Sequence, residues 1–247
     1  MKSTDAAALL QAWEATQGEH LIRRGLALLA VAWPEVGSEG WSRVPIGVRD
    51  ASLLRLRDAL FGAELETVAG CPECGERVES SFTTRDIQVE PPEPPSGDAS
   101  FQLCEQGCVV DYRLPTSEDV LGAVQCTSDL SAATQALLRR CVVAARRDGS
   151  ALDPAELPAT VVTVLGAAMQ QRDPGAELRI ALTCPACQHF WSLTFDIVAY
   201  LWSEIDDWAQ RLLADVFVLA RACGWSERDI LALSPTRRQT YLDMVLA

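Results

Sequence analysis

The sequence predicts an α+β fold, predominantly helical, with two β-hairpins separated by a mostly helical insertion. Three observations carry this. The pattern C-P-x-C occurs twice, in "CPECGERVES" from Cys71 and "CPACQHFWSL" from Cys184, each between strand-like runs. Apolar residues elsewhere recur at helical spacing. Hydrophobic residues make up 49% of 247 positions, enough for a sizeable core, yet no window is apolar for the length a membrane helix needs.

Taken in order, Thr4 or Asp5 caps a first helix in "AAALLQAWEATQG", and "EHLIRRGLALLAVAWP" gives a second that Pro34 stops. A Gly- and Pro-rich loop, "EVGSEGWSRVPIG", follows. In "VRDASLLRLRDALFG", Leu53, Leu56, Leu60 and Phe61 form one stripe, with Arg55 and Asp58 off it and Gly62 at the end, which reads as an amphipathic helix. "AELETVAG" and "ERVESSFTTRDIQV" flank the first cysteine pair as a hairpin, with Val78 and Phe82 on one side. "EPPEPPSGDAS", residues 90–100, reads as an extended connector. A hairpin in "FQLCEQGCVVDYRL" precedes a helix capped by Thr116 with Asp119 at its third position. A long helix is expected in "DLSAATQALLRRCVVAARRDG", ended by Gly149, and short helices near Pro154 and Pro158. "AELRIALT" and "HFWSLTFDI" flank the second pair, the latter with alternating Phe190, Leu193 and Phe195. A long helix then runs to Gly224, Ser226 caps another, and Ser234 with Pro235 starts the last. The expected divisions are 1–89, the connector 90–100, the insertion 101–176, and 177–247.

The formal net charge is −13, which opposes nucleic acid or an anionic lipid surface as partner. Lys2 is the only lysine among 21 basic residues, a coding bias rather than a function. The first residues lack the apolar core of a signal peptide, so a cytoplasmic protein is expected. In a reducing compartment nine cysteines are metal ligands or buried thiols, and an odd number cannot pair completely.

Cys71, Cys74, Cys184 and Cys187 are the metal-ligand set. Two short cysteine turns deliver two thiolates each to a tetrahedron, which is the chemistry of one structural Zn2+. Loop closure grows only logarithmically with length, so their separation does not forbid a shared ion and a split zinc-ribbon-like site. Thioredoxin-like redox use does not fit, because neither pair lies at a strand-to-helix junction of a βαβ unit. Four thiolates also close the shell that a catalytic zinc leaves open.

His189 could replace a cysteine as ligand or be an ordinary strand residue, and His20 is expected on a helix surface. Cys104 and Cys108 could ligate metal, but no further pair is near, and they read as hairpin residues. Cys126, Cys141 and Cys223 read as core thiols. Glu204, Asp206 and Asp207 read as a solvated helix face. Trp191, Trp202, Trp208 and Trp225 serve a core or a docking surface. No nucleophile elbow or phosphate-cradling loop is present in the sequence.

The stretches "RDASLLRLRDALFGAELETVAGCPECGERVESSF", "YRLPTSEDVL" and "CPACQHFWSL" through "GWSERDILALSPTRRQTYLDMV" resemble the baseplate hub and hub-assembly proteins of T-even-like contractile-tailed phages, in the version found in bacterial contractile injection system clusters. The resemblance runs from about residue 45 to the end. It implies a noncatalytic hub component or assembly chaperone of a phage-tail-like particle, with other baseplate, hub or tail proteins as partners and no small-molecule substrate. Zinc rests on spacing and not on the family. Two rivals remain: a zinc-stabilised hydrolase using Glu118, Asp119 or Asp148, and a zinc-ribbon adaptor, which the net charge disfavours.

Overall fold

A computed structural model describes residues 5–87, 100–127 and 129–246. The connector expected at 90–100 and the Thr4 alternative for the first cap fall, apart from residue 100, outside these residues. The fold is mixed, mainly helical, with small antiparallel sheets.

Asp5 caps α1 (Ala6–Ala15), its carboxylate accepting from the Ala7 N–H. α2 (Leu21–Ala32) is capped by His20, whose Nδ1 accepts from the Ile22 N–H. His20 is therefore a terminus residue with a defined task, not a helix-surface residue. The Gly- and Pro-rich loop contains a short helix, α3 (Gly37–Ser42), which buries Trp41.

α4 (Ile46–Phe61) departs from the amphipathic expectation. Leu53 and Leu56 are buried as the stripe requires, but so are Arg49, Asp50, Ser52 and Arg57 on the other sides, while Leu60 and Phe61 are only half-buried. The buried polar groups are satisfied internally. Arg49 Nε donates to Asp50 Oδ1 at 2.7 Å and Nη1 to Ser117 Oγ at 3.0 Å, and Arg57 donates to the Gly62 carbonyl.

Proline at position 45 gives α4 no side-chain cap. Asp173 supplies it from far along the chain, its Oδ2 accepting from the Gly47 N–H at 2.9 Å. Gly175 packs on Gly47 as well, and a Cβ on Gly47 would lie 1.9 Å from Asp173 Oδ1. Only glycine permits this approach.

β1 (Glu64–Gly70) pairs with β2 (Arg77–Thr83), followed by one helical turn, α5 (Thr84–Ile87). β3 (Phe101–Glu105) and β4 (Cys108–Tyr112) form the next hairpin. α6 (Ser117–Cys126) carries the predicted capping box of Thr116 and Asp119. α7 (Leu130–Cys141) ends eight residues before Gly149. Residues Val142–Arg147 form β5 instead, paired with β4 and, across the Asp148–Gly149 turn, with β6 (Ser150–Ala151). Two consecutive valines and a Asp-Gly turn favour strand over helix here. The insertion thus contains a four-stranded antiparallel sheet in the order β3-β4-β5-β6. α8 (Ala159–Arg172) covers it, Val161 and Leu165 packing on Val110, Tyr112 and Val142.

β7 (Arg179–Thr183) pairs with β8 (Phe190–Thr194). α9 (Ile197–Cys223) buries Leu201, Ile205, Ala209, Leu212, Val216 and Leu219 along one stripe. Gly224 follows with φ +70°, Ser226 caps α10 (Glu227–Leu231), and α11 (Pro235–Leu246) begins at Pro235.

These elements form two compact units, one of Met1–Ser38 with Val198–Ala247, the other Glu39–Ile197. In the first, Leu10, Ala209 and Leu212 pack with Trp13 and Trp208, and Ile230, Leu219 and Leu242 form a second cluster. Both cysteine hairpins belong to the second unit.

Candidate metal centre

The two turns between the paired strands have the same backbone plan. Cys71 N–H donates to the Glu76 carbonyl at 2.8 Å, and Gly75 N–H to the Cys71 carbonyl at 2.9 Å. Cys184 N–H donates to the His189 carbonyl at 2.9 Å, and Gln188 N–H to the Cys184 carbonyl at 3.0 Å. Each turn needs a left-handed residue at the fifth position, Gly75 at φ +76° and Gln188 at φ +61°. This fold-back points both sulfurs of each pair to one side.

The four Sγ atoms lie within 4.8 Å of one another. Cys71 faces Cys187, and Cys74 faces Cys184, each at 3.6 Å. Cys71 and Cys184 are buried, Cys74 and Cys187 exposed, and Val78 with Trp191 packs on the buried pair. Phe82 and Phe195 meet edge to face at 5.9 Å, a second contact between the hairpin regions. The predicted set is therefore brought together as four thiols that can hold a metal ion.

Backbone N–H groups tune the sulfurs. In Cys184 the Cys187 N–H, aided by that of Ala186, outweighs burial and lowers the thiol to about 7. Burial opposes ionisation of Cys71, but the N–H groups of Cys74 and Glu73 turn the balance downward. At Cys74 the Glu76 N–H and the Cys187 sulfur favour ionisation, yet desolvation and the sulfurs of Cys184 and Cys71 raise it. At Cys187 the His189 N–H works toward ionisation, while desolvation and three sulfurs push it up to about 12. Cys71 and Cys184 are thus drawn toward ionisation and Cys74 and Cys187 away from it, and ionising all four would set four repelling negative charges close together. A bound dication removes that repulsion and ionises all four.

His189 stays out of the set: its ring stacks on Trp191 at 6.1 Å. Cys104 and Cys108 cannot ligate together. Cys104 is paired with Val109, so the alternation of β4 places it on the opposite sheet face from buried Cys108. All three expected core thiols end their helices, but only Cys141, which leads directly into β5 of the sheet, is buried; Cys126 and Cys223 are exposed.

The carboxylates of the hydrolase reading have other occupations. Asp119 accepts from Arg113 Nη2 at 2.8 Å and Arg140 Nε at 3.2 Å besides closing the capping box; burial opposes its ionisation, but the hydrogen bonds from Arg113 and Thr116 hold it below its ordinary range. Glu118 is exposed near Arg43, and Asp148 occupies the β5–β6 turn at φ +50°. Asp206 accepts from Trp13 Nε1 at 2.8 Å, which ties α1 to α9. Trp202 is buried beneath Arg24, and Trp225 packs edge-on against Tyr241. The backbone donors at Glu73, Glu76, Ala186 and His189 were not singled out from sequence, although a repeated C-P-x-C turn is itself their signal.

Fold and site together define a mainly helical protein whose distant hairpins share a four-thiol, metal-competent cluster. A family model described as T4 bacteriophage base plate protein matches residues 34–199, more than half of the chain, and the chain belongs to that family. The match nearly coincides with the unit Glu39–Ile197, and the C-terminal "GWSERDILALSPTRRQTYLDMV" lies beyond it. Comparison with curated proteins and with solved structures gives no match. Among the described residues no helix is long and apolar enough to cross a membrane.

Proposed function

We propose that this protein is a noncatalytic part of the baseplate hub of a phage-tail-like contractile particle, acting as hub component or assembly chaperone, with one structural Zn2+ on Cys71, Cys74, Cys184 and Cys187. It is made in the cytoplasm and contacts other baseplate, hub or tail proteins. The carrying observation is the closeness of four sulfurs from two hairpins in a chain of a baseplate family.

The donor set fits the ion. Four sulfurs at the vertices of a tetrahedron around zinc, each about 2.3 Å from it, stand roughly 3.8 Å apart, close to the 3.6 Å contacts. When bound, zinc supplies a closed, redox-inert crosslink. The hairpins β1–β2 and β7–β8 then act as one split ribbon with residues 101–176 inserted. N–H groups at both turns orient the sulfurs, and Trp191 keeps water from the buried pair.

Elemental analysis of chelator-washed protein beside Cys71→Ser and Cys184→Ser variants tests this. One zinc per chain, lost from both variants, is the expected result. Two ions, or loss from one variant only, would break the split ribbon. Co-purification with sheath, tube or baseplate wedge proteins tests the assembly role.

A further inference from the structure

Arg238 in α11 is 7% exposed, a cation taken almost entirely out of water. Its Nε stands 3.5 Å from Asp215 Oδ2 on α9, a long ion pair. Its buried Nη1 has no hydrogen-bond partner among the described residues. A guanidinium has five N–H donors and does not deprotonate in proteins, so a buried one with a free donor is costly until an acceptor arrives.

Arg238 lines a cavity of about 330 Å³, together with Trp208, Arg211, Asp215 and Gln239. Gln239 is already engaged with Asp243. The two arginines against one carboxylate leave one positive charge in excess, within a chain of net charge −13. One excess charge balances a monoanion. A phosphate dianion would keep uncompensated charge beside Asp215.

We propose that this cavity binds a carboxylate, the acidic side chain of a partner protein, through Arg238 and Arg211. A guanidinium fork matches a carboxylate in two parallel hydrogen bonds, and Trp208 forms an apolar wall. Reaching Nη1 takes a small swing of the guanidinium, which one long ion pair restrains weakly. The volume suits one side chain and is at the lower limit for a small-molecule site. That the carboxylate comes from a protein rests on the baseplate reading; the site itself does not.

The test is titration of ¹⁵N-labelled full-length protein with sodium acetate at constant ionic strength, following the Arg238 Nε–H resonance, assigned by its loss in Arg238→Lys. A saturable shift is expected, with affinity at least about fivefold weaker in Arg211→Gln, a change at an exposed residue that leaves the fold intact. Absence of saturation, or equal affinity in Arg211→Gln, overturns the site. Tighter binding of inorganic phosphate than acetate overturns the carboxylate assignment. Neither failure bears on co-purification with sheath, tube or baseplate wedge proteins, which tests the baseplate reading separately.

Discussion

Replacing Gly47 by alanine tests the packing that joins α4 to the end of α8. Alanine is the better helix former by about 1 kcal/mol, so propensity alone predicts stabilisation. The structure reverses the sign. The new Cβ would lie 1.9 Å from Asp173 Oδ1 and 3.0 Å from the Ala176 nitrogen. Asp173 is 4% exposed and has no solvent to retreat into. Its displacement forfeits the 2.9 Å bond to Gly47 N–H, a loss of about 1–3 kcal/mol for a buried charged acceptor, and overpacking adds about 1–3 kcal/mol. The net is a destabilisation of about 3 kcal/mol, or roughly 6–12 °C for a chain of this size. Gly166→Ala is the control, because α8 leaves open space at that position, and it should stabilise by about 0.5–1 kcal/mol. Urea and thermal unfolding followed by circular dichroism, read on the transition of the unit Glu39–Ile197, decides between them. A Gly47→Ala protein as stable as the parent would refute the interlock.

Asp173→Asn keeps an acceptor for Gly47 and removes a charge that burial disfavours, raising its carboxyl above the ordinary range; its stability should match the parent within about 1 kcal/mol, while Asp173→Ala loses about 2 kcal/mol in the same urea titration. The carboxyl of Asp119 is held below its ordinary value near 3.8, so its stabilisation is complete above that value and disappears as pH falls through the lower folded-state value. Parent and Asp119→Asn should accordingly differ at pH 7 and converge as the pH falls below the ordinary carboxylate range; constant separation across an acid titration would contradict the Arg113–Asp119–Arg140 network. Removing metal with a chelator should speed hydrogen exchange at Cys71, Gly75, Cys184 and Gln188, whose amides close the two turns, with little change at Val110 in the β3–β6 sheet; uniform acceleration would mean the ion supports the whole unit.

The four-cysteine cluster was legible because C-P-x-C is a local pattern: the turn that aims each pair is encoded within six residues and repeated. Helix caps at Asp5, Thr116 and Ser226 were legible for the same reason. What failed depended on distant neighbours. The stripe on α4 identified one buried side, but whether Arg49, and Asp50 paired to it, meet water or are buried with Arg49 donating to Ser117 is decided by a segment far along the chain. "CVVAARR" carries a weak strand signal of its own in two valines and the Asp-Gly turn after it, but the helical run before it masks that signal and the edge it pairs with, β4, lies well back in the chain. The cap on Gly47 has no local trace at all, since Pro45 occupies the position where a sequence reading looks for one.

The sulfur cluster also has a history within each round of synthesis. Cys74 and Cys184 are 110 positions apart. At about 5–20 residues per second, the ribosome leaves the first pair without its partner for roughly 5–20 s. During that interval two closely spaced thiols can be oxidised or take the wrong metal, and the intervening sheet has time to form. Translation speed through this stretch, and the chemistry of the medium while it lasts, thus bear on how much of the newly made chain becomes competent for assembly.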